Sequence, residues 1–122
     1  MKKDTSKSTI SRKARIRKQN NKTPLKPVGR FFSRQGRSFI FHTIGSQGFE
    51  RRLNLSGVVN SSSKVFVSIC EIGLFNGRVL PFQGAASMEV HNVVPHDDGI
   101  VIVRGFIGWP SNLSVRLSVL VV

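Results

Sequence analysis

Residues 8–22, STISRKARIRKQNNK, place six Lys or Arg among fifteen positions with no carboxylate between them. Side chains of this type at this density do one kind of chemistry well: they neutralise phosphates and release the counterions held there. The resulting affinity is large, indifferent to sequence and steeply dependent on salt. Arg adds two-pronged phosphate contacts that Lys cannot make. The pattern extends on both sides of this stretch. The candidate phosphate-binding residues are Lys2, Lys3, Lys7, Arg12, Lys13, Arg15, Arg17, Lys18, Lys22, Lys26, Arg30, Arg34 and Arg37, against the single acid Asp4. Residues 1–37 therefore carry +12, whereas the six basic and five acidic groups of residues 38–122 leave only +1.

Other reactive groups are sparse. VHNVVPHDDG, residues 90–99, brings His91, His96, Asp97 and Asp98 close in sequence. Adjacent carboxylates suit Ca²⁺ or Mg²⁺ better than zinc, so Asp97 and Asp98 are weak candidates for a divalent cation at a subunit contact. The plainer reading is a hairpin loop: Asp tolerates turn backbone, Gly99 supplies positive φ, and polar side chains keep the tip wet. No cofactor is otherwise expected. No Ser or Cys nucleophile stands at a recognisable spacing from a base, so the expectation is a protein that is not an enzyme and takes no small-molecule substrate. Cys70 is the only cysteine; it forms no intrachain disulfide and reads as a buried apolar thiol. Phe31, Phe32, Phe39 and Phe41 alternate with Arg30, Arg34 and Arg37. They read either as basic and aromatic side chains interleaved for single-stranded nucleic acid, or as an anchor holding the root of the basic segment. Trp109, beside Pro110, reads as packing over its turn or at a subunit contact, with base stacking as the alternative.

The elements that must position these groups divide in two. Residues 1–28 form a basic arm and hinge: Ile10, Ile16, Leu25 and Val28 are its only large aliphatic side chains after the first residue. High charge with so little to bury leaves an arm disordered until a polyanion orders it. RKARIRK could form a short helix on nucleic acid. Pro24, Pro27 and Gly29 mark the hinge. Residues 29–122 read as an all-β domain, a compact antiparallel β-sandwich or jelly roll of seven or eight strands. Strands are expected over 38–44, 49–55, 64–72, 74–80, 87–94, 99–107 and 113–122. Asn76-Gly77 suits a two-residue type I′ turn dividing the fourth, and Asp98-Gly99 a tight reversal. In the last segment Leu113, Val115, Leu117, Val119 and Val121 share one face and Ser114, Arg116 and Ser118 the other, before Leu120 and Val122 make both faces apolar. Such a strand is expected in the middle of a sheet or under another subunit, with its end buried.

No apolar stretch follows the basic N-terminus as in a signal peptide, and no run reaches the ~18 residues of a membrane span. The arm also lacks the large apolar face of an interfacial helix, so no membrane partner is expected. A mitochondrial presequence fits poorly because of Asp4 and the Lys-rich pattern. RKARIRK would serve as a nuclear address.

The arm KKDTSKSTISRKARIRKQNNK, the hinge TPLKPVG and the closing segments GIVIVRGFIGWPSNLSVRLSVLVV together resemble, in architecture, the jelly-roll coat proteins of small icosahedral RNA viruses, of satellite-virus size. The resemblance implies a capsid protein of the virion. Its β domain would self-assemble as a homo-oligomer, and its arm would package nucleic acid, RNA by that family's habit, without sequence preference. Assembly would be intracellular, in the cytoplasm or nucleus. A ribosomal or other ribonucleoprotein subunit with an RNA-threading extension is the alternative; it would be expected to carry more basic charge on its folded body than residues 38–122 do.

Overall fold

In the computed structural model, residues 23–33 and 36–122 are described. They contain eight strands: β1 (Gly29–Ser33), β2 (Gly36–Gly45), β3 (Gln47–Asn54), β4 (Val65–Phe75), β5 (Arg78–Phe82), β6 (Met88–Pro95), β7 (Ile100–Ile107) and β8 (Leu113–Val121). Five form one sheet in the order β1-β2-β8-β4-β5, and three form a second in the order β3-β7-β6. All strand pairs are antiparallel. The expected all-β, antiparallel class is what the chain adopts, as two sheets curled about one core.

Alternation explains which face each strand buries. Phe39 and Phe41 on β2, Val115, Leu117, Val119 and Val121 on β8, Leu53 on β3, and Val101, Val103 and Ile107 on β7 all point between the sheets and are buried. Residues two apart share a face, so each strand supplies every second side chain to the core. Leu55 and Val59, from the loop after β3, close one end of it. Each fully buried Leu, Val or Phe contributes roughly 1.5–3 kcal/mol relative to exposure.

The register follows from one short connection. Only Ser46 separates β2 from β3, yet the two strands belong to different sheets. Gln47 takes positive φ, 58°, at this corner. Beyond it, β2 pairs with β8 from Arg37↔Val121 to Gly45↔Leu113, while β3 pairs with β7 from Gln47↔Ile107 to Asn54↔Ile100. The arm made by β2 and β3 thus lies along the arm made by β7 and β8, one pair in each sheet.

Both expected turns form. Asn76 and Gly77 have φ of 50° and 77°, the signature of a type I′ turn, and Phe75 pairs directly with Arg78. The Gly99 N–H donates to the His96 carbonyl oxygen and the His96 N–H to that of Ile100, closing the reversal into β7. The closing strand β8 is central, as its two-faced pattern predicts. Its end differs from expectation: Val121 is buried, but Val122 is exposed and held only through its N–H on the Lys64 carbonyl oxygen. The strand β1 has no counterpart among the expected strands, because GRFFS is set among charges and reads as part of a basic run. It forms by adding to the edge of β2, with Gly29↔Ile40 and Ser33↔Gly36 at its ends. Just before it, Leu25 makes a parallel bridge to Leu53, its N–H on the Arg52 carbonyl oxygen and its own carbonyl oxygen accepting from Asn54. Residues 25–33 therefore cover the β3 edge of one sheet and the β2 edge of the other. On the opposite side β5 and β6 remain outermost.

Gly105 is where the second sheet is tightest. A Cβ there would overlap the Glu89 carbonyl oxygen and lie 2.6 Å from the Phe49 ring. Overpacking of this kind typically costs about 1–3 kcal/mol, so Gly105→Ala should lower the urea midpoint by that equivalent at unchanged m-value. An unaltered midpoint would mean that β6 and Phe49 yield freely.

Candidate nucleic-acid interface

Of the candidate phosphate-binding residues, Lys2, Lys3, Lys7, Arg12, Lys13, Arg15, Arg17, Lys18, Lys22 and Arg34 lie outside the described residues, together with residues 1–22 of the expected arm and hinge. Lys26 and Arg30 are exposed. Arg37 is half-buried at the end of β2, its Nη2 3.4 Å from the Val58 carbonyl oxygen. Arg30 stands opposite Phe39 and Arg37 opposite Phe32, which puts both on the core side of β1 and β2, beyond the rim of the core.

The aromatic residues separate into two groups. Phe39 and Phe41 are core residues, so the interleaved pattern read from sequence does not hold for them. Phe31 and Phe32 remain 59% and 66% exposed. Phe32 points to the core side and meets Phe39 edge-to-face at 6.2 Å. Phe31 points the other way, onto the outer face of the five-stranded sheet. There the ladder aligns Phe31, Ser38, Leu120 and Phe66 across β1, β2, β8 and β4, followed by Gly29, Ile40, Ser118 and Ser68. These rows form an open groove of about 390 Å³.

The next row on the same face holds His42, Arg116 and Cys70. Arg116 Nε lies 3.4 Å from His42 Nε2. Burial, and secondarily the charge of Arg116, hold the His42 imidazole below its ordinary value of 6.5. Cys70, expected in the core, instead stands on this outer face and is only half-buried; alternation from Val67 and Ile69, which pack inward, leaves it no other side.

The acidic groups lie elsewhere. Glu50 accepts from Arg104 Nε at 2.9 Å on the outer face of the three-stranded sheet, and Glu89 meets His91 Nε2 at 2.8 Å on β6. Asp97 accepts from the Ser61 N–H at 2.9 Å and Asp98 from that of Ile100 at 2.9 Å. The Ser61 hydrogen bonds, side chain first and backbone second, hold the Asp97 carboxyl below its ordinary value. Asp98 thus closes its own turn, and Asp97 ties that turn to the loop after β3. Among the described residues no group of three or more His, Cys, Asp or Glu is placed to hold a metal ion. Trp109 is on the surface, its carbonyl oxygen accepting from Gln47 Nε2 at 2.8 Å.

Arg51, which sequence reasoning missed, is buried between the sheets. Its Nε donates to Thr43 Oγ1 at 3.0 Å, Nη2 to the Ile44 carbonyl oxygen at 2.6 Å and Nη1 to that of Glu50 at 2.8 Å, with the Phe49 ring 5.9 Å away. Burial lowers its pKa to about 10, which leaves it charged at neutral pH. Its bonds span the β2–β3 corner, so its role is to hold that corner. Its place in FERRLNL, alternating with Phe49 and Leu53, was the available signal.

Comparison with known proteins finds no family model, no curated protein and no solved structure that matches the chain.

The depressed His42 pKa fixes a pH dependence. Above 6.5 the imidazole is neutral in folded and unfolded chains, and its contribution is complete. As the pH falls from 6.5 towards the lower folded value, the unfolded chain takes up the proton first and stability is lost. Chemical denaturation between about pH 7.5 and about pH 5 should show this loss, and His42→Gln should show less of it. Equal losses in both proteins would contradict the assignment.

Proposed function

We propose that the chain is the coat protein of a small RNA virus, which self-associates through its β domain and packages RNA electrostatically through its basic arm. The observation that carries this reading is the partition of charge. Residues 1–28 hold +9 and residues 29–37 a further +3 of the net +13, while residues 38–122 carry only +1. Charge of one sign concentrated at one end is costly without a polyanion to neutralise it. A body that bound RNA over its own surface would need the excess charge there instead.

The surface of the body supports self-association. Leu74, Phe75, Val79, Phe82 and Val94 are exposed on β4, β5 and β6, where both sheets present their outermost strands. Phe75 and Phe82 meet edge-to-face at 5.5 Å. Leu74 and Val79 pair on the outer face of the β4–β5 hairpin and Phe75 and Phe82 on its other face, so this outermost hairpin exposes apolar side chains on both sides, and strand edges of this kind are templates for pairing with another chain. The pairing of the β2–β3 arm with the β7–β8 arm also has the sense of a jelly roll. β4 and β6 extend the two pairs in the manner of its inner strands, and the short β5 hairpin stands where further strands would complete it.

Three comparisons test the proposal. Full-length protein mixed with RNA should give closed shells by electron microscopy, and protein lacking residues 1–28 should not retain RNA. A soluble monomer that binds RNA one-to-one would point instead to a ribonucleoprotein subunit. Removing residues 1–22 alone should abolish RNA binding and leave the β-type circular dichroism unchanged. Raising salt from about 50 to about 500 mM should release the RNA, with log affinity falling by roughly 0.7 per neutralised phosphate per decade of salt; retention at high salt would contradict an electrostatic mode.

A further inference from the structure

We infer that the groove on the outer face of the five-stranded sheet is a base-stacking site for single-stranded nucleic acid, with Phe31 and Phe66 as its stacking walls. The inference rests on the reading of the chain as a nucleic-acid binder, and adds to it a base contact on the folded body that is too weak to hold RNA once the arm is removed.

Phe31 and Phe66 are 59% and 60% exposed, on the same face and in the same ladder row. Three inter-strand steps separate them, about 14 Å. That leaves room between the rings for bases, which stack on any aromatic face irrespective of sequence. Between the walls, in their own row, stand Ser38 and Leu120, and Ile40, Ser118 and Ser68 follow in the next, so three of these five side chains are hydroxylic. Serine hydroxyls both donate and accept, so they can meet the edge of any base.

Two features favour nucleic acid over a second copy of the chain. Serine is depleted at the centres of protein–protein contacts, yet three serines stand in these two rows. Among the described residues no acidic side chain stands on this face: Glu50, Glu89, Asp97 and Asp98 lie on the other sheet or in its loop, and Glu71 pairs with the inward-facing Val115. Its ionisable groups are Arg116, His42 and Cys70 in the third row, and exposed Lys64 precedes Phe66 by two residues. A phosphate backbone crossing this face would meet cations and no carboxylate. Phe31 is also only nine residues from Lys22, so nucleic acid held by the arm is delivered to it.

The test separates bases from phosphates. Full-length protein is titrated with an oligoadenylate of about 12 nucleotides and with an abasic strand carrying the same number of phosphates, at about 0.3 M salt to weaken the electrostatic part. The base-bearing strand should bind at least about 5-fold more tightly. Phe31→Leu and Phe66→Leu, which keep apolar bulk at exposed positions, should each narrow that gap. Phe31→Trp should preserve it, with indole fluorescence quenched on binding. Equal binding of the two strands would overturn the stacking site and leave the electrostatic function standing. Failure of both strands to bind, even at about 50 mM salt, would overturn both readings. If the Leu variants changed the sedimentation of nucleic-acid-free protein and left the gap intact, the face would be a contact between copies, and the inference would be wrong.

Discussion

The corner at Ser46 is the constraint on which the rest of the molecule depends. One residue cannot carry a chain far, so β2 and β3 must leave the corner at once into separate sheets, and each must find its partner there. They find β8 and β7. Those four strands supply most of the buried side chains, so the corner fixes the position of the core as well as the pairing. Arg51 holds the corner from inside by reaching back from β3 to Thr43 and to the Ile44 carbonyl on β2. A buried cation is costly unless its donors are satisfied. Gly45 is part of the same arrangement, since a Cβ there would sit 3.2 Å from Arg51 Nη2. A glycine, a serine and an arginine thus do together what a longer loop would do loosely.

The asymmetry of the edges follows. On the side of the corner, residues 25–33 lie along both sheets and satisfy their outer backbone groups. The far side ends in the short β5 hairpin and in β6, with large apolar side chains exposed around them. Pro81 in β5 and the Glu89–His91 pair on β6 temper these edges against indiscriminate pairing. Exposed apolar side chains and devices that oppose strand pairing thus occur together on this side.

Most of the strand layout was legible because β structure writes itself in alternation. β8 shows this best: one face Leu, Val, Leu, Val and the other Ser, Arg, Ser is enough to place it centrally. Asn76-Gly77 was legible for a different reason, since few residue pairs accept positive φ twice in succession. What escaped were features that depend on partners distant in the chain. The strand β1 exists because β2 offers it an edge, not because GRFFS favours extended backbone in a basic context. Cys70 was assigned to the core from residue type, yet its side was set by Val67 and Ile69, three residues and one residue before it, which face inward and leave it the outer face. Phe39 and Phe41 share type and neighbourhood with Phe31, and only the register shows that the first two face inward and the last outward.

That last distinction bears on function more than any other. Phe31 and Phe32 are adjacent, so the pleat sends them to opposite faces. Phe32 meets Phe39 at the rim of the core and ties β1 to the fold, as expected of an anchor at the root of the basic segment. Phe31 is left on the outer face, exposed among the described residues. The two readings that sequence alone could not separate, anchor and nucleic-acid contact, need not compete, because a strand has two sides. One phenylalanine holds the root of the arm against the body, and its neighbour presents an aromatic ring on the outer face of the five-stranded sheet. On the proposed function, a segment that begins as pure charge thereby ends in a ring placed to tell a base from bare phosphate.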